Sequence, residues 1–395
     1  MNLGLAKHID RVAGGLLGWA FGAWDRVREW VRPPAPVQHV DHVLLVKFWG
    51  LGNWALLRPI ARDVRARYPG ARITIATLAG NAPLVEDLAD DLLLVSTRST
   101  WRTVRDLARA AWRLRRAPPS LALDFEQFAR SGALLARLGR AAQRVGFRTP
   151  ATGGGASRGR DALYTVTVPW REDAHASRSF RDLAEAGGVA PAPYVPGGLA
   201  VSEAGRAELR ALEVAGPYVV LHPGSGDNFP GRRWSEAGFA AVGRAARAAG
   251  RQVYVTGGPS EAPLVARTAA AIGDGAVPLA GRLAIPGLIA LLDGAEVLAS
   301  NDTGPVHLAS ALATPVLAFY GPNTPVLYGP LSAGSRAFHR DLPCSPCITV
   351  ANYRSSRCRI HSCMASIPTG EVVAALQQVL RDHATGVDHS TGSTR

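Results

Sequence analysis

The chain has 395 residues, 47% of them hydrophobic and 19% charged, with a net charge of +13. That length and balance exclude a globally disordered chain and leave room for two full cores. The charge comes from arginine, since Lys7 and Lys47 are the only lysines. It favours acidic partners such as nucleotide-sugar phosphates or an anionic membrane, while the lack of a compact basic–aromatic module places nucleic acid outside the expected partners.

Residues 1–36 read as a separate amphipathic element and linker. Ile9, Val12, Leu16, Trp19, Ala23, Val27 and Trp30 recur at helical spacing, and basic side chains outnumber acidic ones. The uncharged run 12–24 is too short to cross a bilayer and has no cleavage-site pattern. A basic helix rich in Trp suits the membrane interface. That reading is preferred to a helix packed on the protein, or one frayed by Gly14, Gly15, Gly18 and Gly22. The prolines at 33, 34 and 36 end it in a stiff linker.

From residue 37 to 195 the pattern alternates between strand and helix. Strands are expected at 42–48, 72–78, 92–96, 121–125 and, briefly, 144–146; helices at 55–68, 104–116 and 131–138. A Gly-rich turn, Trp49 to Trp54, follows the first strand, and Gly-rich residues 149–160 read as a mobile loop. Residues 190–198, rich in Pro and Gly, form the expected domain linker. The pattern then restarts over 196–381, with strands at 218–222, 252–256, 277–279, 297–300 and 316–320. Helices are expected at 235–249, 263–272, 285–292, 306–313 and 369–381, and 382–395 reads as a disordered tail. Two successive α/β halves predict two Rossmann-like domains facing a cleft.

Three turns of the second half follow strands and face the same way if its sheet is parallel. They are His222-Pro223-Gly224-Ser225-Gly226, Thr256-Gly257-Gly258-Pro259-Ser260-Glu261 and Asn301-Asp302-Thr303-Gly304-Pro305. Together they predict a convergent, Gly-lined anion site. The last opens a helix, whose unpaired N–H groups and positive dipole end suit a phosphate, with Gly304 allowing close approach and Pro305 at a favoured first position. Arg232 is positioned to grip a diphosphate, Arg233 reads as a surface charge and Trp234 as core. Glu261 suits ribose hydroxyls or a helix cap, and His307 is often structural in such a place. The four cysteines, Cys344, Cys347, Cys358 and Cys363, leave none to staple the rest of the chain. Their spacing is compatible with structural zinc or an iron–sulfur centre, or with four reduced thiols in a loop.

These motifs resemble those of the bacterial lipopolysaccharide heptosyltransferases, the ninth glycosyltransferase family. The resemblance is carried by Gly50-Leu51-Gly52 with Leu57-Arg58-Pro59, by Asp124-Phe125-Glu126-Gln127 with Arg144-Val145-Gly146-Phe147, and by His222-Pro223-Gly224 with Arg232-Arg233-Trp234. It continues through Gly257-Gly258-Pro259, Leu279-Ala280-Gly281 and, above all, the run from Asn301 to Leu308. It implies a glycosyltransferase B fold, with the final helix, 369–381, packing back on the N-terminal domain, and inverting transfer with no catalytic metal. The implied donor is a nucleotide diphosphate sugar, usually ADP-heptose, and the implied acceptor a lipid-anchored saccharide at the cytoplasmic face of the inner membrane. By position it implies Asp302, Thr303 and Gly304 at the donor diphosphate and sugar, Arg232 where the family usually has Lys, Glu261 near the nucleoside, and Gly281 near the base. One departure stands out: Asn53 occupies the place of the family's usual Asp, the proposed general base. A neutral amide cannot take the proton. Asp124 or Glu126 then becomes the expected substitute base, or Asn53 only orients the acceptor, or transfer is lost. Two rivals follow: a non-catalytic nucleotide-sugar or glycolipid binder, and a sugar-nucleotide epimerase.

Overall fold

The computed structural model describes residues 15, 18, 20–24, 38–148, 159–226, 230–349, 356 and 358–385. Most of the N-terminal element, loop residues 149–158 and tail residues 386–395 lie outside these. The chain divides into two compact units, Met1–Tyr194 with Thr349–Arg354, and Val195–Ile348 with Ser355–Arg395.

The first unit is built on a six-stranded parallel sheet: β1 (His42–Val46), β2 (Arg72–Leu78), β3 (Asp91–Val95), β4 (Leu121–Asp124), β5 (Gln143–Arg148) and β6 (Val166–Pro169), in the order β3-β2-β1-β4-β5-β6. The central strand β1 is buried throughout, as its unbroken apolar run requires when helices cover both faces of a sheet. Its register pairs Val46 with Ala76 of β2 and with Asp124 of β4, so β1 and β4 end together. The order in which strands are added reverses at this β1/β4 pair, the switch point at which α/β sheets bind ligands.

The second unit repeats the plan with β7 (Tyr218–His222), β8 (Gln252–Val255), β9 (Ala276–Pro278), β10 (Val297–Asn301), β11 (Val316–Phe319) and β12 (Arg336–Phe338), in the order β12-β11-β10-β7-β8-β9. This is the same strand order, with the switch point at β7/β10, where Ser300 pairs with His222. Its core joins Val219, Leu221, Phe239, Val255 and Phe319 to the closing helix Thr369–Ala384, which contributes Val372, Leu376 and Val379. That helix packs on its own unit.

The strands β6 and β12 and the helices Ala176–Ala186 and Glu203–Ala211 were not expected from the pattern. Both strands lie at sheet edges, and both are short, so neither carries the long apolar run of a central strand. In the described part of the N-terminal element a Cβ on Gly18 would lie 2.5 Å from the Gly159 carbonyl oxygen, and one on Gly22 2.4 Å from the Ala162 Cβ. Phe21 packs with Ala133, Leu163 and Tyr164. Two of the four glycines are therefore where the segment presses on the body of its unit, as in the alternative of a helix packed on the protein.

Candidate functional site

In the second unit the three glycine turns leave the carboxyl ends of β7, β8 and β10, all on one edge of the parallel sheet. Two side chains tie them together. Asn301, buried at the end of β10, accepts from the Trp234 N–H at 2.8 Å and donates from Nδ2 to the Pro223 and Gly224 carbonyls at 2.8 and 3.1 Å. Glu261 accepts at Oε1 from the N–H groups of Ser225 and Gly226 at 2.8 and 2.9 Å, and at Oε2 from Gly258 at 3.0 Å. Burial alone would push the Glu261 carboxyl up; the Gly258 N–H, the nearby His222 ring and the Gly226 and Ser225 N–H groups outweigh it and hold the carboxyl below its ordinary value. Gly224 has to be glycine, because a Cβ there would stand 2.2 Å from that carboxylate.

Arg232 donates to the Asp302 carbonyl at 3.0 Å and to the Ser225 carbonyl at 2.8 Å, and its guanidinium lies 3.8 Å from the Asp302 carboxylate. Asp302 also accepts from Asn323 Nδ2 at 2.8 Å. The cation is thus fixed between the β7 and β10 turns, beside the N-terminus of the helix Gly304–Ala311. Thr303 stands at the cap position of that helix, with its hydroxyl turned to the Asn301 carbonyl at 3.1 Å; Pro305 follows Gly304 in its first turn. His222 Nδ1 meets the Thr256 hydroxyl at 3.0 Å, and burial lowers its pKa to about 4, so the ring is neutral at physiological pH. His307 lies inside the helix with its ring 5.9 Å from that of Tyr328. Gly281, at φ 67°, donates to the Gly257 carbonyl at 3.0 Å and so lays its turn over the β8 turn.

Arg233 is not the surface charge expected: it pairs with Glu261 at 3.3 Å and donates from Nε to the Ser225 hydroxyl at 3.2 Å. Asn301, Arg233 and Asn323 contribute to the site without a local sequence signal for the role, except that Gly321-Pro322-Asn323 follows β11 as another strand-end turn.

In the first unit Gly50, at φ 93°, turns the chain directly into the helix Leu51–Arg67. Asn53 therefore sits in the first helical turn rather than in a loop, and its Nδ2 donates to the Trp49 carbonyl at 3.3 Å. Glu126 supports this turn from beneath: its carboxylate accepts from the Phe48 and Trp49 N–H groups at 2.6 and 2.9 Å and pairs with Lys47 at 3.2 Å. Trp54 Nε1 donates to the Lys47 carbonyl at 3.0 Å, and Asn81 Nδ2 to the Phe48 carbonyl at 3.0 Å. Asp124 accepts from the Tyr164 hydroxyl at 2.7 Å and from the Glu126 N–H at 3.0 Å. Burial raises its pKa to about 6, against the opposing pull of the Arg160 cation. Arg160 is itself buried and donates to the carbonyls of Ala129, Gln127, Phe147 and Glu126. Asp124 and Glu126 are both completely buried. This differs from the expectation of a substitute base at a strand end: each carboxylate is committed to internal donors and is shielded from a substrate.

The four cysteines are free thiols; Cys344 and Cys358 are exposed and Cys363 is buried. Among the described residues no three His, Cys, Asp or Glu side chains are gathered closely enough to hold a metal ion.

The profile of "Glycosyltransferase family 9 (heptosyltransferase)" matches residues 108–355 of the chain. The chain belongs to that family. It is 31% identical to a lipopolysaccharide heptosyltransferase 3 of Escherichia coli over 188 residues, 46% of this chain and 52% of that one. It is also 27% identical to lipopolysaccharide heptosyltransferase 1 of Pseudomonas aeruginosa over 320 residues, 78% of this chain and 86% of that one. The alignment thus spans about half of the E. coli relative, 52% of its length. Among solved structures, the E. coli ADP-heptose lipopolysaccharide heptosyltransferase II superposes with a TM-score of 0.69 at 20% identity, covering 87% of this chain and 99% of that one. That likeness establishes the fold: two Rossmann-like units in the glycosyltransferase B arrangement of family 9. Among the described residues no helix is long and apolar enough to cross a membrane.

Proposed function

We propose that this family 9 member is an inverting, metal-independent glycosyltransferase. Its donor is a nucleotide diphosphate sugar, ADP-heptose by analogy with the names of its relatives. Its acceptor is a lipid-anchored saccharide of the lipopolysaccharide core or a related envelope glycan, met at the cytoplasmic face of the inner membrane. The observation that carries the reading is the Arg232 guanidinium held between the Ser225 and Asp302 carbonyls beside the N-terminus of the helix Gly304–Ala311. A fixed cation and a helix dipole aimed at one place stabilise the charge that grows on a departing diphosphate, and they do so without a metal. The acceptor hydroxyl attacks the anomeric carbon from the face opposite the leaving group, which inverts that centre; the bond to the diphosphate oxygen breaks, the nucleoside diphosphate departs, and the hydroxyl proton passes to solvent. Asp302, Thr303 and Gly304 hold diphosphate and sugar, while Glu261, Gly224, Ser225 and Gly258 shape the nucleotide side, with Gly281 near the base.

In this reading Asn53 orients the acceptor and Glu126 holds the turn that carries it, so most of the rate comes from stabilising the leaving group. The cysteines take no part in the chemistry. A structural metal among them is tested by metal analysis of protein purified without added zinc or iron, and a substoichiometric content removes it.

Turnover of ADP-heptose with a truncated lipid acceptor, followed by ADP release, tests the proposal. The amide at Asn53 also supports a second reading, a binder that holds the donor and transfers nothing. Tight donor binding with no transfer to any acceptor overturns the enzyme in favour of that binder. Release of free sugar with altered stereochemistry overturns it in favour of an epimerase.

A further inference from the structure

The helix Thr100–Arg116 of the first unit packs on the sheet through Ala110, Ala111 and Leu114. Its outer face carries Trp101, Val104, Ala108 and Trp112, spaced by three, four and four residues and so aligned in one stripe. Trp101 is 73% exposed, Trp112 54% and Val104 50%, which makes this the densest run of large exposed hydrophobic side chains among the described residues. The same helix bears six arginines, Arg102, Arg105, Arg109, Arg113, Arg115 and Arg116, against the single acid Asp106. Arg116 lies 3.7 Å over the Trp112 ring. Asp106 pairs with Arg105 and Asp91 of β3 with Arg113, and Arg102, Arg109, Arg115 and Arg116 still leave the helix with an excess of positive charge.

We infer that this face docks the protein on an anionic lipid bilayer. The inference rests on the proposed lipid-anchored acceptor and names the surface that meets the lipid. Two Trp rings about 16 Å apart along one helix face present amphipathic rings at the depth of the headgroups. Arginines at neighbouring positions of the helix can reach acidic headgroups while their stems cover apolar surface. A nucleic acid would use the arginines and leave Val104 and Ala108 without a role. The helix sits beside β3, the edge strand of its sheet.

The test uses the full chain with saccharide-free vesicles, so that its outcome is independent of transfer. Co-sedimentation is compared for vesicles of phosphatidylcholine alone and vesicles also containing phosphatidylglycerol. Binding to the anionic vesicles, falling as salt is added, is expected. The W101S/W112S variant is expected to lose more than about tenfold in vesicle affinity, and each Arg→Gln change at Arg102, Arg109 or Arg115 roughly fivefold. An unchanged thermal-unfolding profile and circular dichroism spectrum on the same preparations show that the first unit, which carries this helix, is folded, and donor affinity is expected to be unchanged. Undiminished vesicle binding by W101S/W112S, equal binding to neutral vesicles, or preference for a nucleic acid of equal charge overturns the inference. If vesicle binding stands while no sugar is transferred, the surface holds and the enzyme reading falls.

Discussion

At the scale of single residues, the informative groups are those whose partners are already chosen. Asn53 donates its amide to the Trp49 carbonyl, a bond that a carboxylate in the same rotamer would turn into an oxygen–oxygen contact. Asn53→Asp is therefore expected to lower stability by about 1 kcal/mol, read as a lower midpoint in thermal unfolding. Donor affinity, set in the other unit, is expected to stay the same, and a large loss in an ADP titration would refute this assignment. Asp124 offers a test by pH. Its folded pKa, about 6, lies above the ordinary 3.8 because it is buried. The folded protein thus holds this proton more tightly, the group's contribution is full below about pH 4, and it is lost as pH rises through 6. The difference is worth roughly 3 kcal/mol. Asp124→Asn is expected to remove that slope, so the variant gains stability relative to the parent between pH 4 and 6 in paired denaturant titrations. An unchanged difference across the window would show that Asp124 titrates normally.

Among elements, the turns are held by side chains that arrive from elsewhere in the chain. Glu261 reaches both the β7 turn and the β8 turn, and Gly224 is the residue that makes room for it. Gly224→Ala is expected to displace that carboxylate, loosen both turns and weaken donor binding by about tenfold, corresponding to about 1.4 kcal/mol. Isothermal titration with ADP checks this, and an unaltered affinity would mean the turns bind nothing. The N-terminal element yields a second test. Gly18 and Gly22 meet Gly159 and Ala162 at distances no added carbon tolerates, so Gly22→Leu is expected to lift this segment from its unit. Faster cleavage near residue 22 in limited proteolysis would register it. Cleavage at the parent's rate would mean the contact carries no weight.

For the whole molecule, the division into two units separates the proposed donor site from the proposed acceptor-side turn. Excess donor is expected to stabilise the second unit by about 2.7 kcal/mol at a hundredfold over its dissociation constant. Hydrogen exchange would show added protection at residues 222–226, 257–261 and 301–307, and little at 47–54. Equal protection in both places would assign the donor contacts differently.

The alternation of strand and helix, the two successive halves and the three glycine turns were legible in the sequence, because each rests on local chemistry. Buried strands need continuous apolar runs, tight turns need glycine, and helix starts favour proline. The family could be recognised from the same turns, chiefly the run from Asn301 to Leu308. What only the tertiary structure decided was pairing at long range. Glu261 and Arg233 meet Ser225 across 36 and 8 positions, Asn301 meets the Trp234 backbone across 67, and Glu126 meets Phe48 across 78. No local pattern encodes such contacts, and the burial they create removed Asp124 and Glu126 from the expected role of base. The helix Thr100–Arg116 makes the same point. Its Trp-Val-Ala-Trp stripe has the period of a core face, yet Ala110, Ala111 and Leu114 face inward and the tryptophans face out. Spacing sets which residues share a face; packing against the rest of the unit sets which face is hidden from water.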